Sequence, residues 1–276
     1  MPIIMYDNVD ELAARVTIQE VLGLARPLYR LRDLCTTVSM PKLVARLRLA
    51  TDYTGVEKVP ELVEADIKSQ SYSTLDFNLW KNVVHIAISK EAELKTDADV
   101  LGLHVKSAAR ELARMENGQI ATEIEADGTA GPTSYSWSDK TNGVSDHDPL
   151  TDIMNGCEPI HVAGFEAKII AFNWQQYADL VSNTHITTLL ERGTIVKTGK
   201  LPAIVGLQII TDESITDDKA YLVDPDAPAL ILGEGPEMAV QYGKDSPKFF
   251  QGYAIAKFIE PQVAVANGLR VLSCSS

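Results

Sequence analysis

Residues 96–124 carry the clearest period in the chain. Leu101, Val105, Ala108, Leu112 and Met115 recur at steps of four, three, four and three, the spacing that lines up side chains along one stripe of an α-helix. Thr96 or Asp97 can cap its start, and Asp97 and Asp99 suit the positive end of the helix dipole. Arg110, Glu111 and Arg114 fall off the stripe. One narrow stripe on so long a helix predicts a spine lying across a sheet, not a helix buried on every side.

On either side of that helix the period falls to two. Residues 51–90 are expected to form a long β-hairpin, its polar centre KSQSYSTLD flanked by β-rich arms. On the return arm Trp80, Asn82, Val84, Ile86 and Ile88 share one face, and Lys81, Val83, His85 and Ala87 the other. A serine-rich tip between two strands cannot bury itself and suits a surface laid on another chain. Near the C-terminus the runs 236–242, 249–259 and 262–272 read as strands, with YGKDSP turning between the first two. There Phe249, Gln251, Tyr253, Ile255, Lys257 and Ile259 alternate with Phe250, Gly252, Ala254, Ala256 and Phe258.

The remaining segments are shorter. Leu12, Val16, Leu22 and Ala25 predict an amphipathic helix over Asp10–Ala25 that Pro27 ends. Residues 28–50 mix arginine with apolar residues at no clean period and read as an extended or irregular arm. Residues 125–149 are a turn-rich loop. From Leu150 a compact mixed lobe follows, with a helical turn at Asp152–Asn155, a buried strand in 167–173, a short helix over 174–181, and strand character in 200–213, 220–225 and 229–234. The fold class is α+β. Its expected order is an arm (1–50), a long hairpin loop (51–90), a lobe with the long helix (91–149), a mixed lobe (150–235) and return strands (236–276).

Composition narrows the function. A chain of 276 residues with 45% hydrophobic content can bury a sizeable core. Its net charge of −13 argues against a surface that grips nucleic acid, but not against a chain that encloses it. Cys35, Cys157 and Cys274 form no disulfide framework and no CxxC pair. No signal peptide and no apolar run long enough to span a membrane is present. GEGPEM (233–238) lacks the third glycine of a dinucleotide fingerprint, and GTIVKTGKL (193–201) has its glycines too far apart for a phosphate loop. No GxSxG or HExxH occurs, and Asp146–His147–Asp148 reads as a solvated turn before a metal site. No catalytic, cofactor or metal residue is expected, so the chain does not read as an enzyme.

The element order and texture resemble the major capsid proteins of tailed bacteriophages and related viruses, the Hong Kong 97-type capsid fold. The resemblance rests on residues 77–120, which look like the end of that family's extended loop followed by its spine helix. It rests also on 200–272, which look like axial-lobe strands followed by peripheral-lobe strands. It implies a structural protein that self-assembles into hexamers and pentamers of an icosahedral shell around double-stranded DNA. The site would be the virion, assembled in the host cytoplasm, with separate scaffold, portal or decoration proteins as partners and no membrane.

Lys58, Lys68, Trp80, Arg110, Arg114, Lys244 and Lys248 are the assembly candidates. Some family members weld subunits through a Lys–Asn isopeptide bond. Lys58 or Lys68 could supply the lysine, but the turn at 243–250 holds no Asn, so no such weld is expected. With the hairpin loop reached by about residue 51, no large cleavable scaffold segment is expected, and any scaffold is expected to be a separate protein or dispensable. Two alternatives follow: an encapsulin-type shell around a cargo enzyme, and, from another class, a small soluble mixed-fold enzyme.

Overall fold

The computed structural model describes residues 19–50, 72–89, 100–133, 137, 149–182, 203–242 and 250–274. Its strands are β1 (Thr36–Ser39), β2 (Val44–Ala50), β3 (Tyr72–Asn78), β4 (Trp80–Ser89), β5 (Ala130–Thr133), β6 (Ile169–Phe172), β7 (Ala203–Ile204), β8 (Leu207–Thr211), β9 (Lys219–Val223), β10 (Leu230–Glu234), β11 (Met238–Tyr242), β12 (Phe250–Val263) and β13 (Leu269–Ser273). Its helices are α1 (Val100–Asp127), α2 (Pro149–Val162) and α3 (Trp174–Ser182). Two sheets share one long helix.

The first sheet is built on β12. β11 and then β10 follow one another along one edge of it, and β4 fills the other edge in antiparallel register from Phe250↔Ser89 to Ile259↔Trp80. β1 closes that sheet, parallel to β10. β12 runs unbroken through Pro261, where the sequence pattern suggests a break. Beyond Ile259 the β4 edge is open, and a residue without an N–H is tolerated beside an open edge.

Helix α1 lies on this sheet as its stripe predicts. Val105, Ala108, Ala109, Leu112 and Ala113 pack on Ile86, Tyr253 and Ile255, with Val84 at the margin. The face shared by Asn82, Val84 and Ile86 therefore meets the helix, and Asn82 exchanges two hydrogen bonds with Gln119. Further along α1 the buried positions are Glu116, Asn117, Ile120, Ala121 and Ile124, and Met115 is only half-buried.

The second sheet runs β5–β13–β9–β6–β8–β7. Both of its faces are covered. Ile170, Phe172, Ala220, Leu222 and Leu272 pack under α2 and α3, while Ile169, Ala171, Tyr221, Val223 and Leu269 pack towards α1 and β10. Burial on both faces explains the uniformly apolar runs of β6 and β9. Trp137, from the turn-rich loop, enters the first of these cores and donates its indole N–H to Asp152 at 3.1 Å.

Several expectations change. The hairpin is not 51–90: β2 pairs with β3, from Val44↔Asn78 to Ala50↔Tyr72. Tyr72–Asp76, expected at a polar tip, are strand residues, and β4 pairs with β12 instead of returning along the ribbon. The alternation of Ala45, Leu47 and Leu49 against Arg46 and Arg48 already carried β2. The arginine-rich stretch before it, which has no period of its own, masks that alternation. β10 joins the first sheet, not the mixed lobe, and β13 joins the second, not the return strands. In the first helix 19–25 is helical, but Val21 and Ala25 are the buried pair and Leu22 is half-buried. The stretch after it is ordered into two 3-10 turns, Arg26–Leu28 and Leu31–Leu34, and β1.

Candidate functional site

Two features stand out: the seat of the N-terminal arm and the exposed faces around it. The arm's 3-10 turns place Arg32 over α1. Its guanidinium donates to both carboxylate oxygens of Glu116, at 2.7 and 3.0 Å, and to Glu234 of β10 at 3.2 Å. Lys257 of β12 enters from below, 2.9 Å from Glu116 and 3.0 Å from Glu234. Two cations thus face two carboxylates, contributed by four distant stretches of chain. The Tyr29 ring lies against both cations, 4.6 Å from the Arg32 guanidinium carbon and 4.4 Å from Lys257 Nζ, within the range of a cation–π contact.

Burial sets the electrostatics. It acts to lower the Lys257 ammonium, but Glu116 first, then Tyr29 and Glu234, outweigh it and hold it above its ordinary value. Burial raises the Glu234 carboxyl, and Lys257 and Arg32 reverse that to leave it below its usual range. Both groups are therefore held charged. Beside this cluster Asn117 fastens the arm again. It accepts from the Leu31 amide at 3.4 Å and donates to Leu28 O at 3.1 Å and to Asp212 at 2.9 Å. Each cation and each carboxylate of this arrangement is tied to a partner, while the buried Tyr29 hydroxyl is left without a hydrogen bond among the described residues. Among the described residues no set of three His, Cys, Asp or Glu side chains is placed to hold a metal.

The exposed surface is richer. The β2–β3 ribbon turns Leu47, Leu49 and Leu75 towards Phe77, Met40, Leu79 and Phe258, and shows Val44, Arg46, Arg48 and Tyr72 to solvent. Gly233 lies beneath it: a Cβ there would stand 2.9 Å from the Phe77 ring. That close approach, within β10, is what the first glycine of GEGPEM serves. Trp80 is 65% exposed at the rim of a groove of about 480 Å³ with Gln119, Glu123 and Glu260. Arg110 and Arg114 are exposed on the outer face of α1. Lys58, Lys68, Lys244 and Lys248 lie outside the described residues, as do Asp146–Asp148 and 193–201. The ion cluster is not evident from any single stretch of the sequence. Its signal was there, as Lys257 interrupts an apolar alternation and Glu116 an apolar stripe.

A family model for phage capsid proteins matches residues 86–266, from within β4 through α1 and both sheets. The chain belongs to the phage capsid protein family. No curated protein sequence matches it. Solved structures similar to this phage capsid family member include a virus-like particle from Pyrococcus furiosus, at 14% identity and a TM-score of 0.65, covering 94% of this chain and 98% of that one. The capsid of cyanophage P-SCSP1u is similar at 14% identity and a TM-score of 0.67, covering 89% and 87%. The SrpI encapsulin complex from Synechococcus elongatus PCC 7942 is similar at 11% identity and a TM-score of 0.61, covering 91% and 88%. The fold is the Hong Kong 97-type capsid fold, and the chain is a capsid shell protein.

Proposed function

We propose that this capsid protein is the major shell subunit of a tailed virus, forming hexamers and pentamers of an icosahedral particle around double-stranded DNA. The family match over 86–266 carries the reading. In this reading the first sheet with α1 is the peripheral lobe and the second sheet with α2 and α3 the axial lobe. The function is structural and not enzymatic. The outer face of the β2–β3 ribbon, with exposed Val44, Arg46, Arg48 and Tyr72, lies on a neighbouring subunit. Trp80 contributes to that contact as an apolar anchor. Scaffold, portal and decoration proteins are further partners, and the particle assembles in the host cytoplasm.

The test is expression of the full chain followed by size-exclusion chromatography and electron microscopy. Closed particles of megadalton size are expected, and a monomer or dimer under all conditions overturns the reading. The likeness to the SrpI encapsulin supports a second reading, a shell around protein cargo. Nuclease-protected DNA in native particles favours the viral reading, and a co-purifying enzyme without DNA favours the other.

A further inference from the structure

Helix α1 carries a second row that the packing does not use. Lys106, Arg110 and Arg114 are all exposed and recur once per turn, in steps of about 6 Å along the axis. Among the described residues Lys106 and Arg110 make no ion pair, and Arg114 approaches only Glu111, at 3.9 Å. Like charges at this spacing repel one another. A chain with 38 acidic residues against 25 basic ones has had ample anions to place between them. The arm adds a fourth cation. Arg30, held by its bond to the Thr211 carbonyl at 2.8 Å, shares a groove of about 390 Å³ with Arg110, Arg114 and Trp174.

The carboxylates facing this row come from two elements. Glu111 lies on α1. Asp212 and Glu213 follow β8, but Asp212 is buried and spends its oxygens on Asn117 and the Ser214 amide. Among the described residues these four cations meet exposed Glu213 and half-buried Glu111, and Asp33 lies with Arg26 and Arg30 in the adjoining groove, which leaves a locally positive strip on a molecule of net charge −13. Protein interfaces place apolar anchors at the centre and charge at the rim. Here exposed cations form the row itself, and Trp174, the exposed apolar side chain beside it, lines the same groove as Arg30, Arg110 and Arg114.

We propose that the Lys106–Arg110–Arg114 row, with Arg30, is a contact for the phosphate backbone of the enclosed double-stranded DNA. The proposal rests on the shell reading and adds to it which face of the subunit lines the interior. The contact reads no sequence, since exposed cations on phosphate position without specifying. It is weak, because the rest of the chain is acidic.

The experiment uses the full chain as unassembled capsomers, whose inner face is open, titrated with a short labelled duplex of random sequence across a salt series. Four phosphate contacts predict a slope of log affinity against log salt of about −3.6, and the triple variant K106Q/R110Q/R114Q flattens it by about 2.7. R110K/R114K keeps the charge and therefore the slope. Absence of duplex binding at low salt, or an unchanged slope in the triple variant, overturns the proposal. So does preferential uptake of polyglutamate over the duplex, which would give the row to an acidic protein segment. Micrographs of assembled material separate the two failures. Normal shells with an unchanged slope defeat the DNA contact alone, whereas absence of shells from the wild-type chain defeats the shell reading.

Discussion

Lys257 Nζ stands 2.9 Å from Glu116 Oε2, and both side chains are almost wholly shut from solvent. A buried ion pair is not in itself strongly stabilising, but removing one partner leaves the other desolvated and uncompensated. Lys257→Met is therefore expected to destabilise the unassembled chain by about 3 kcal/mol, the lower end of the usual range, because Arg32 still neutralises Glu116. The double variant Glu116→Leu/Lys257→Met should cost less than the two singles combined, leaving Arg32 to pair with Glu234. Urea unfolding measures both. A single-variant loss under about 1 kcal/mol would contradict the account.

Acid should weaken the fold in a defined window. Glu234 is held below its ordinary value of 4.5 by Lys257 and Arg32 against the upward pull of burial, and Glu125 likewise by Lys219, Tyr221 and Thr216. A depressed carboxyl contributes stability that is complete above its unfolded value and is lost as pH falls through the folded one. Glu123, raised by burial, has the opposite sign and offsets part of this. Lys257 is raised, so its contribution disappears only on the alkaline side, beyond its ordinary 10.5. The melting temperature of the unassembled chain should fall above pH 9.0, where only the unfolded chain ionises the Cys35 and Cys157 thiols that burial raises, be near level around neutrality, and fall below pH 4.5. A flat profile well below that value would count against the pairing.

Gly128, where α1 gives way to β5, has no room for a methyl group. A Cβ there would lie 2.2 Å from the carbonyl oxygen of Ile124, with Leu269 and Val271 methyls at 2.9 Å. The carbonyl is fixed backbone and cannot give way as a side chain would. Gly128→Ala should cost about 1–3 kcal/mol, the usual range for overpacking, read as a lower urea midpoint. An unchanged midpoint would show that the helix end relaxes freely.

Trp80 is mostly exposed at the end of β4, so Trp80→Ala should change the unassembled chain by under about 0.5 kcal/mol, as surface changes usually do. Its effect should fall on assembly, lowering the yield of closed particles in micrographs. Particles of normal yield and form would remove Trp80 from the subunit contact.

Mature particles should dissociate to the 30.2 kDa chain on denaturing electrophoresis, because residues 243–250 include no Asn of the kind that an isopeptide weld to Lys58 or Lys68 requires. Ladders of higher mass would refute this.

What could be read from the sequence was local. The stripe from Val105 to Leu112, the alternation of Tyr253, Ile255 and Ile259, and the apolar run of β6 each reflect a single element with one well-defined environment. What could not be read was long-range choice. Nothing within 229–234 says whether the strand joins Val263 or Ile169, since both sheets offer buried apolar edges. Arg46 pairs with Asp76 across the ribbon, a match that looks no different from any other opposite charges thirty residues apart. Glu116 and Lys257 broke their apolar patterns for the same reason, each needing the other, and neither break alone points to its partner. For the exposed row on α1 the sequence supplied Arg110 and Arg114 but not Arg30, which only the folded arm brings alongside.

The ion cluster joins Arg32, Glu116, Glu234 and Lys257, so the pocket that receives the arm does not exist until Lys257 has left the ribosome. Domains usually fold as they emerge, N-terminal part first, and here that order is blocked. β4 likewise waits for β12, some 170 residues later in the chain. The sheet beneath α1 therefore cannot close until residues 250–259 have been made.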